Sequence, residues 1–180
     1  MSDRLYPARP IIAASIAVFR EGKVLLAARK ETAANPIYSL PGGLVETGET
    51  LREAALRELR EETNVTSVSL IAEAPEWLAY DLPRDVVQQA WKGRYRGQKP
   101  KWFAFRFEGD ESEIDILDPA GAAHPEFDAW RWHPYWIELD SVIDFKREVY
   151  QLALSELARF ISNSSKMHQL VWGAPLETSS

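Results

Sequence analysis

Apolar positions fall into runs along the chain, and changes in their spacing mark the elements. Ile11 to Arg20 is rich in Ile, Ala and Val, which predicts a largely buried strand. Glu21-Gly22 supplies a turn and Val24 to Ala28 a second strand, so the two form a hairpin. Lys30 to Pro36 reads as a polar loop, and Ile37 to Leu40 as a short extended piece ahead of Pro41-Gly42-Gly43. A helix is predicted from about Thr50 to Thr63, with Thr50 as N-cap and Glu53 at the capping-box spacing. Val68 to Tyr80 carries strand-like stretches interrupted by Pro75, and Asp81 to Lys92, which holds Pro83, has room for a short helix. Lys101 to Phe107 alternates as a strand should, with Trp102 one position out of step with Phe103, Phe105 and Phe107. Asp110 to Pro125 is acidic and loop-like, and Phe127 to Trp132 a short strand whose Trp130 and Trp132 share one face, towards the core. Ser141 to Ile161 contains an amphipathic helix. Strands before, between and after two helices predict an α/β protein, a mixed sheet with helices on its faces.

Composition adds limits. With 180 residues, 46% of them hydrophobic and seven of them tryptophan, the chain can bury one sizeable core. The expected domain is residues 1–161, with Ser162-Asn163-Ser164-Ser165 opening a flexible tail over 162–180. No apolar run reaches a membrane span, and Met1 to Arg9 lacks the apolar core of a signal peptide. Zero cysteines remove disulfides, thiol nucleophiles and Cys-based zinc sites. The expectation is a cytoplasmic protein with no membrane association and no evident obligate protein partner. A net charge of -6 would repel a polyanion unless metal ions intervene or positive charge is concentrated. Lys92, Arg94, Arg96, Lys99 and Lys101 do cluster, interleaved with Trp91, Tyr95 and Trp102, which suits a solvated surface and a polyanion contact equally. His124, His133 and His168 lack metal-ligand spacing, and Asp110, Glu111, Glu113 and Asp115 lack an EF-hand spacing and read as a solvated loop.

The helix carries the chemistry. On a wheel of roughly 100° per residue with Glu58 at zero, Glu61 falls near -60° and Glu62 near +40°, so three carboxylates share a face. Ala55, Leu56 and Leu59 lie on the adjoining flank, where they would anchor the helix to a sheet. Crowded carboxylates raise one another's pKa, and a hard divalent cation reverses that cost while leaving positions for phosphate and water. Spacing alone, however, favours an ordinary surface helix whose acids pair with Arg52, Arg57 and Arg60.

The wider pattern decides otherwise. From Gly43 the chain reads G-x5-E-x7-R-E-U-x-E-E through Glu49, Arg57, Glu58, Leu59, Glu61 and Glu62, closing with Val65. This resembles the Nudix box. The resemblance implies a Nudix α/β/α sandwich with a loop–helix–loop catalytic motif, and Mg²⁺ or Mn²⁺ held by Glu58, Glu61 and Glu62. It also implies a metal-directed carbonyl at Gly43 and an Arg57–Glu49 pair bracing the loop. Asn64 stands where the family has glycine; a left-handed residue is needed there, and Asn is the best substitute, at a cost on the order of 1 kcal/mol.

Further segments resemble the bacterial RNA pyrophosphohydrolase and diadenosine polyphosphate hydrolase group of that family. They are Glu76 to Pro83, Gly93 to Lys99, Lys101-Trp102-Phe103, Pro125 to Trp132 and Phe145 to Tyr150, in the family's order. By this resemblance Glu126 approaches the metal site as a further ligand or base. Phe145 would stack on an RNA base and Lys146 pair with phosphate. Arg9 would contact the 5′ phosphates, and Lys30 stands where a second basic residue is expected. The implied reaction is water attack on a phosphorus of 5′-triphosphorylated RNA or a dinucleoside polyphosphate, with Glu61 or Glu126 taking the proton. Tyr38 to Glu46 looks more like Nudix enzymes acting on ADP-ribose, so an ADP-ribose or nucleotide-sugar pyrophosphatase is the alternative. A catalytically silent nucleotide sensor is the alternative of another class, against which the full carboxylate set argues.

Overall fold

The computed structural model describes residues 9–29, 38–89, 94–119, 125–134 and 144–161, with the side chains of 29, 144, 145 and 159–161 left out of that description. The whole Lys30–Pro36 loop, the Phe145 side chain and the 162–180 tail therefore lie outside the described residues.

Two long strands form the spine. Strand β1 (Ile11–Arg20) runs parallel to β7 (Gly97–Phe107), from Ile11 opposite Gln98 to Phe19 opposite Arg106. Strand β5 (Val68–Glu73) and the two-residue β6 (Tyr80–Asp81) pair antiparallel with the other edge of β7. Strand β2 (Lys23–Arg29) folds back on β1 through Glu21-Gly22. Both turn residues have positive φ, 50° and 75°, which a two-residue hairpin turn of the I′ kind requires.

The β1–β2 hairpin does not stay zipped. Only Phe19 and Arg20 pair with β2, at Val24 and Lys23, and beyond them the strands part. Into the gap go β3 (Tyr38–Ser39), paired with Ala27 and Ala28, and β4 (Gly42–Leu44), paired with Ala13 to Ser15. The Ile16 N–H donates to the Pro41 carbonyl at 2.9 Å and closes the wedge. The free edge of β2 is covered by β8 (Phe127–Pro134).

Alternation along β1 and β7 builds two cores, one per sheet face. Ala14, Ile16 and Val18 with Phe103, Phe105 and Phe107 pack under helix α1 (Leu51–Thr63) through Ala54, Ala55 and Leu59. Ala17, Phe19, Trp102 and Ala104 pack under helix α3 (Asp144–Ile161) through Val149, Tyr150, Ala153, Leu154 and Leu157. The result is the expected α/β/α sandwich, with a short α2 (Arg84–Gln89) beside β6. Trp102 faces α3 while Phe103, Phe105 and Phe107 face α1, as their spacing predicts. Trp130 and Trp132 share a face and meet edge-on at 6.5 Å, half-buried against the α1-side core.

Strand β7 begins four residues before the expected Lys101 and passes through Pro100. The Pro100 carbonyl accepts from Leu78 at 3.3 Å, so its missing N–H falls on the same edge, in the irregular stretch between β5 and β6. A proline is tolerated there because no regular ladder needs its hydrogen.

Candidate active site

Helix α1 is fixed at both ends. At its start the Thr50 hydroxyl accepts from the Glu53 N–H at 3.2 Å and the Glu53 carboxylate from the Thr50 N–H at 2.7 Å, the full capping box. At its end Asn64 takes the left-handed conformation, φ 65°, as the sequence requires. Its side-chain amide donates to the Glu113 carbonyl at 2.9 Å, a bond that glycine could not make. The Glu113 carboxylate then accepts from the Thr66 and Ser67 N–H groups at 2.6 and 2.8 Å. Glu113 thus clasps the end of the helix, while Asp110, Glu111 and Asp115 are exposed, as expected of a solvated loop.

The buried face also differs from expectation in one residue. Ala55 and Leu59 anchor the helix, but Leu56 is 38% exposed and Ala54 takes its place. Glu62 lies inside this apolar face, not beside it, and is only 7% exposed. Its carboxylate accepts from the Gly42 N–H at 3.0 Å and hydrogen-bonds with Glu126, which leads into β8. Burial first, and then repulsion from Glu126 and Glu58, push the Glu62 pKa well above the usual carboxylate range. The Glu58 carboxylate lies over Gly43, where a Cβ would overlap it, so glycine is needed for this approach. Burial raises the Glu58 pKa as well, against the pull of Arg57, with Glu61 and Glu126 adding repulsion.

Arg57 gathers the loop. Its Nε and Nη2 bind the two Glu49 carboxylate oxygens at 3.0 and 2.7 Å, the bidentate brace implied by the box. The same guanidinium donates to the Leu44 carbonyl at 2.8 Å, and to Glu58 and Glu61 at 2.8 and 3.2 Å. Its pKa rises, chiefly through Glu49, and Glu49 is held below its usual value by Arg57 and by the Glu46 N–H. Spacing showed that Arg57 could pair with acids, but not that one arginine would fork across three of them.

Gly43, Glu49, Arg57, Glu58, Glu61, Glu62 and Glu126 therefore lie in one neighbourhood of the structure. Among the described residues no three acidic side chains converge on one ligand point, and Arg57 hydrogen-bonds to both Glu58 and Glu61. The donor set nevertheless fits a hard divalent cation: clustered carboxylate oxygens, two of them on groups whose charge burial and mutual repulsion penalise.

A cavity of about 80 Å³ opens beside Glu62, walled by Gly42 and Gly43 on one side and Tyr80, Gln98, Trp102 and Tyr150 on another. Lys146, in the first turn of α3, reaches the same cavity. The Tyr80 hydroxyl donates to Gln98 at 2.6 Å, and the buried Trp102 indole N–H has no hydrogen-bond partner among the described residues. Arg9 is not in this wall; its guanidinium lies 5.8 Å from the Tyr95 ring centre, at the Gln98 end of β7. Tyr80, Gln98, Trp102 and Tyr150 had no assigned role in the sequence, although all four fall in the segments that carry the subgroup resemblance.

Comparison with known proteins matches residues 9–153 to the NUDIX domain family model. An RNA pyrophosphohydrolase of Azorhizobium caulinodans is 48% identical over 160 residues, covering 86% of this chain and 94% of that protein. An RNA pyrophosphohydrolase of Rhodopseudomonas palustris is 53% identical over 123 residues, 68% of this chain and 73% of that protein. The 86% match takes in the box and sequence on both sides of it. Among solved structures, the E. coli dihydroneopterin triphosphate pyrophosphohydrolase superposes with a TM-score of 0.60 at 16% identity, over 83% of this chain and 99% of that one, a likeness of fold.

Proposed function

The chain belongs to the Nudix family, whose hydrolases act on pyrophosphate bonds with divalent metal ions, and from that premise we propose that it removes pyrophosphate from 5′-triphosphorylated RNA. The observation that carries this reading is Lys146 in one cavity with Glu62, in a chain whose relatives of 48% and 53% identity are RNA pyrophosphohydrolases.

In this reading Glu58, Glu61, Glu62, Glu126 and the Gly43 carbonyl would hold Mg²⁺, or Mn²⁺ in its place. When bound, the cation neutralises phosphate charge and acidifies the attacking water. Lys146 and Arg9 bind the phosphate chain, Lys30 adds a further cation, and Phe145 stacks on a base. Glu61 or Glu126 accepts the water proton as the water oxygen forms its bond to phosphorus. The anhydride P–O bond breaks in line, and the leaving phosphate oxygen takes the electron pair. Arg57 keeps the carboxylates and the Glu46–Glu49 turn in place throughout. The setting is cytoplasmic, where nascent RNA carries its triphosphate.

The test is release of pyrophosphate and phosphate from 5′-triphosphate RNA, diadenosine polyphosphate and ADP-ribose, with and without Mg²⁺. RNA is expected to be the best substrate, and only with the metal. Activity confined to ADP-ribose, which the resemblance of Tyr38 to Glu46 would allow, overturns the substrate, and silence on all three favours the sensor.

A further inference from the structure

Among the described residues, two of the large apolar side chains left exposed, Trp77 at 37% and Leu152 at 49%, line the same groove. It lies between the Trp77–Asp81 segment and the next turns of α3, with Glu148 and Val149 completing its wall, and encloses about 350 Å³. Tyr80 belongs to both this groove and the cavity that holds Glu62 and Lys146. The helix is shared as well: Lys146 and Tyr150 face the cavity, Glu148, Val149 and Leu152 the groove. The groove and the cavity are therefore neighbours across Tyr80.

The indole is held in position. Lys99 and Lys101 place their ammonium groups 5.1 and 5.3 Å from the Trp77 ring centre. The two lysines are alternate residues of β7 and project from one face of the strand, and both bring a cation to the ring. Lys101 is itself tied down, donating to the Pro75 carbonyl at 3.1 Å. An aromatic ring already held in place loses little freedom when a planar group stacks on its exposed surface, and Trp77 is 37% exposed. The groove carries two carboxylates, Glu148 and Asp81, the latter paired with Arg96 at 3.0 Å, and carboxylate oxygens suit the N–H edge of a base.

We propose that this groove is a second nucleobase subsite, which takes a base of the RNA downstream of the 5′ nucleotide, stacked on Trp77 and flanked by Leu152. The proposal rests on the RNA reading above and adds to it a dependence on RNA length. Stacking on one aromatic side chain is worth on the order of ten- to a hundredfold in binding.

The experiment measures kcat/KM, with Mg²⁺, on 5′-triphosphate RNAs of increasing length from the dinucleotide, for the full chain and for Trp77→Ala, Trp77→Phe and Leu152→Ala. The unsubstituted chain is expected to gain about tenfold as nucleotides are added. Trp77→Ala should lose that gain and keep dinucleotide turnover, Trp77→Phe should restore most of it, and Leu152→Ala, on a separate element, should lose part of it. Dinucleotide turnover with no gain on lengthening overturns the groove and leaves the RNA reading intact. Equal loss at every length in both alanine variants overturns it too, and no turnover of any RNA overturns both.

Discussion

The two ends of the cleft are built differently. At the box end, every carboxylate is tied to a neighbour by the loop, the helix or Arg57, within residues 42–62. At the far end the wall comes from β6, β7 and α3, elements separated by up to about seventy residues, and its side chains meet only because the sheet brings them together. The first end is held by one arginine within a short stretch of chain; the second is held by contacts between distant elements, such as Tyr80 with Gln98 and Trp102 with Tyr150. A lesion at the box end should therefore act on the chemical step, and one at the far end on binding.

The largest test of that contrast is Glu62→Gln. It is expected to cut kcat by at least about a hundredfold while circular dichroism shows an unchanged fold. Near-normal turnover would remove Glu62 from the reaction. Arg57→Lys keeps the charge but loses the fork, and should lower kcat about tenfold with KM little changed. Lys146→Ala should do the reverse, raising KM about tenfold with kcat nearly kept, as a charge-assisted phosphate contact is worth roughly 1.5–3 kcal/mol. If both variants moved the same parameter, the two ends would not be separate.

How much of this was legible beforehand follows the same division. Thr50, Glu53 and the run from Gly43 to Val65 carry their structure in local spacing, so the helix, its cap and the carboxylate face could be read directly. Leu56 misled because a leucine beside Leu59 and Ala55 looks like an anchor, whereas the helix turns its face towards Ala54 and buries Glu62 instead. Strands β3 and β4, of two and three residues, are too short to show any periodicity, and Pro100 hid the start of β7. Tyr80 and Gln98 are neighbours only through the β6–β7 register, which no local pattern encodes.

Smaller effects probe the clasp behind the helix. Asn64→Ala loses the amide bond to Glu113 and strains the left-handed turn, for about 1–2 kcal/mol and a Tm lower by a few degrees. Asn64→Gly relieves the strain and should melt close to the unsubstituted protein. Smallest is a pH effect. Partial burial works to raise the Glu113 pKa, but the Thr66 and Ser67 donors outweigh it and hold the value below normal. Stability from this group is thus full above its unfolded pKa and lost as pH falls through the lower folded one. Melting curves from pH 6 to pH 3 should fall less steeply for Glu113→Gln; parallel curves would show that the clasp carries no charge-dependent stability.

The parallel pairing of β1 with β7 has a consequence for the order in which the molecule is made. Ala13 waits for Pro100, and the cavity waits for Lys146 and Tyr150. On a ribosome the hairpin, the box and its helix emerge long before their second wall exists, and such distant pairing is slow to form. The glutamates are thus synthesised early, while the cleft that gives them a substrate closes only once nearly the whole domain has left the exit tunnel.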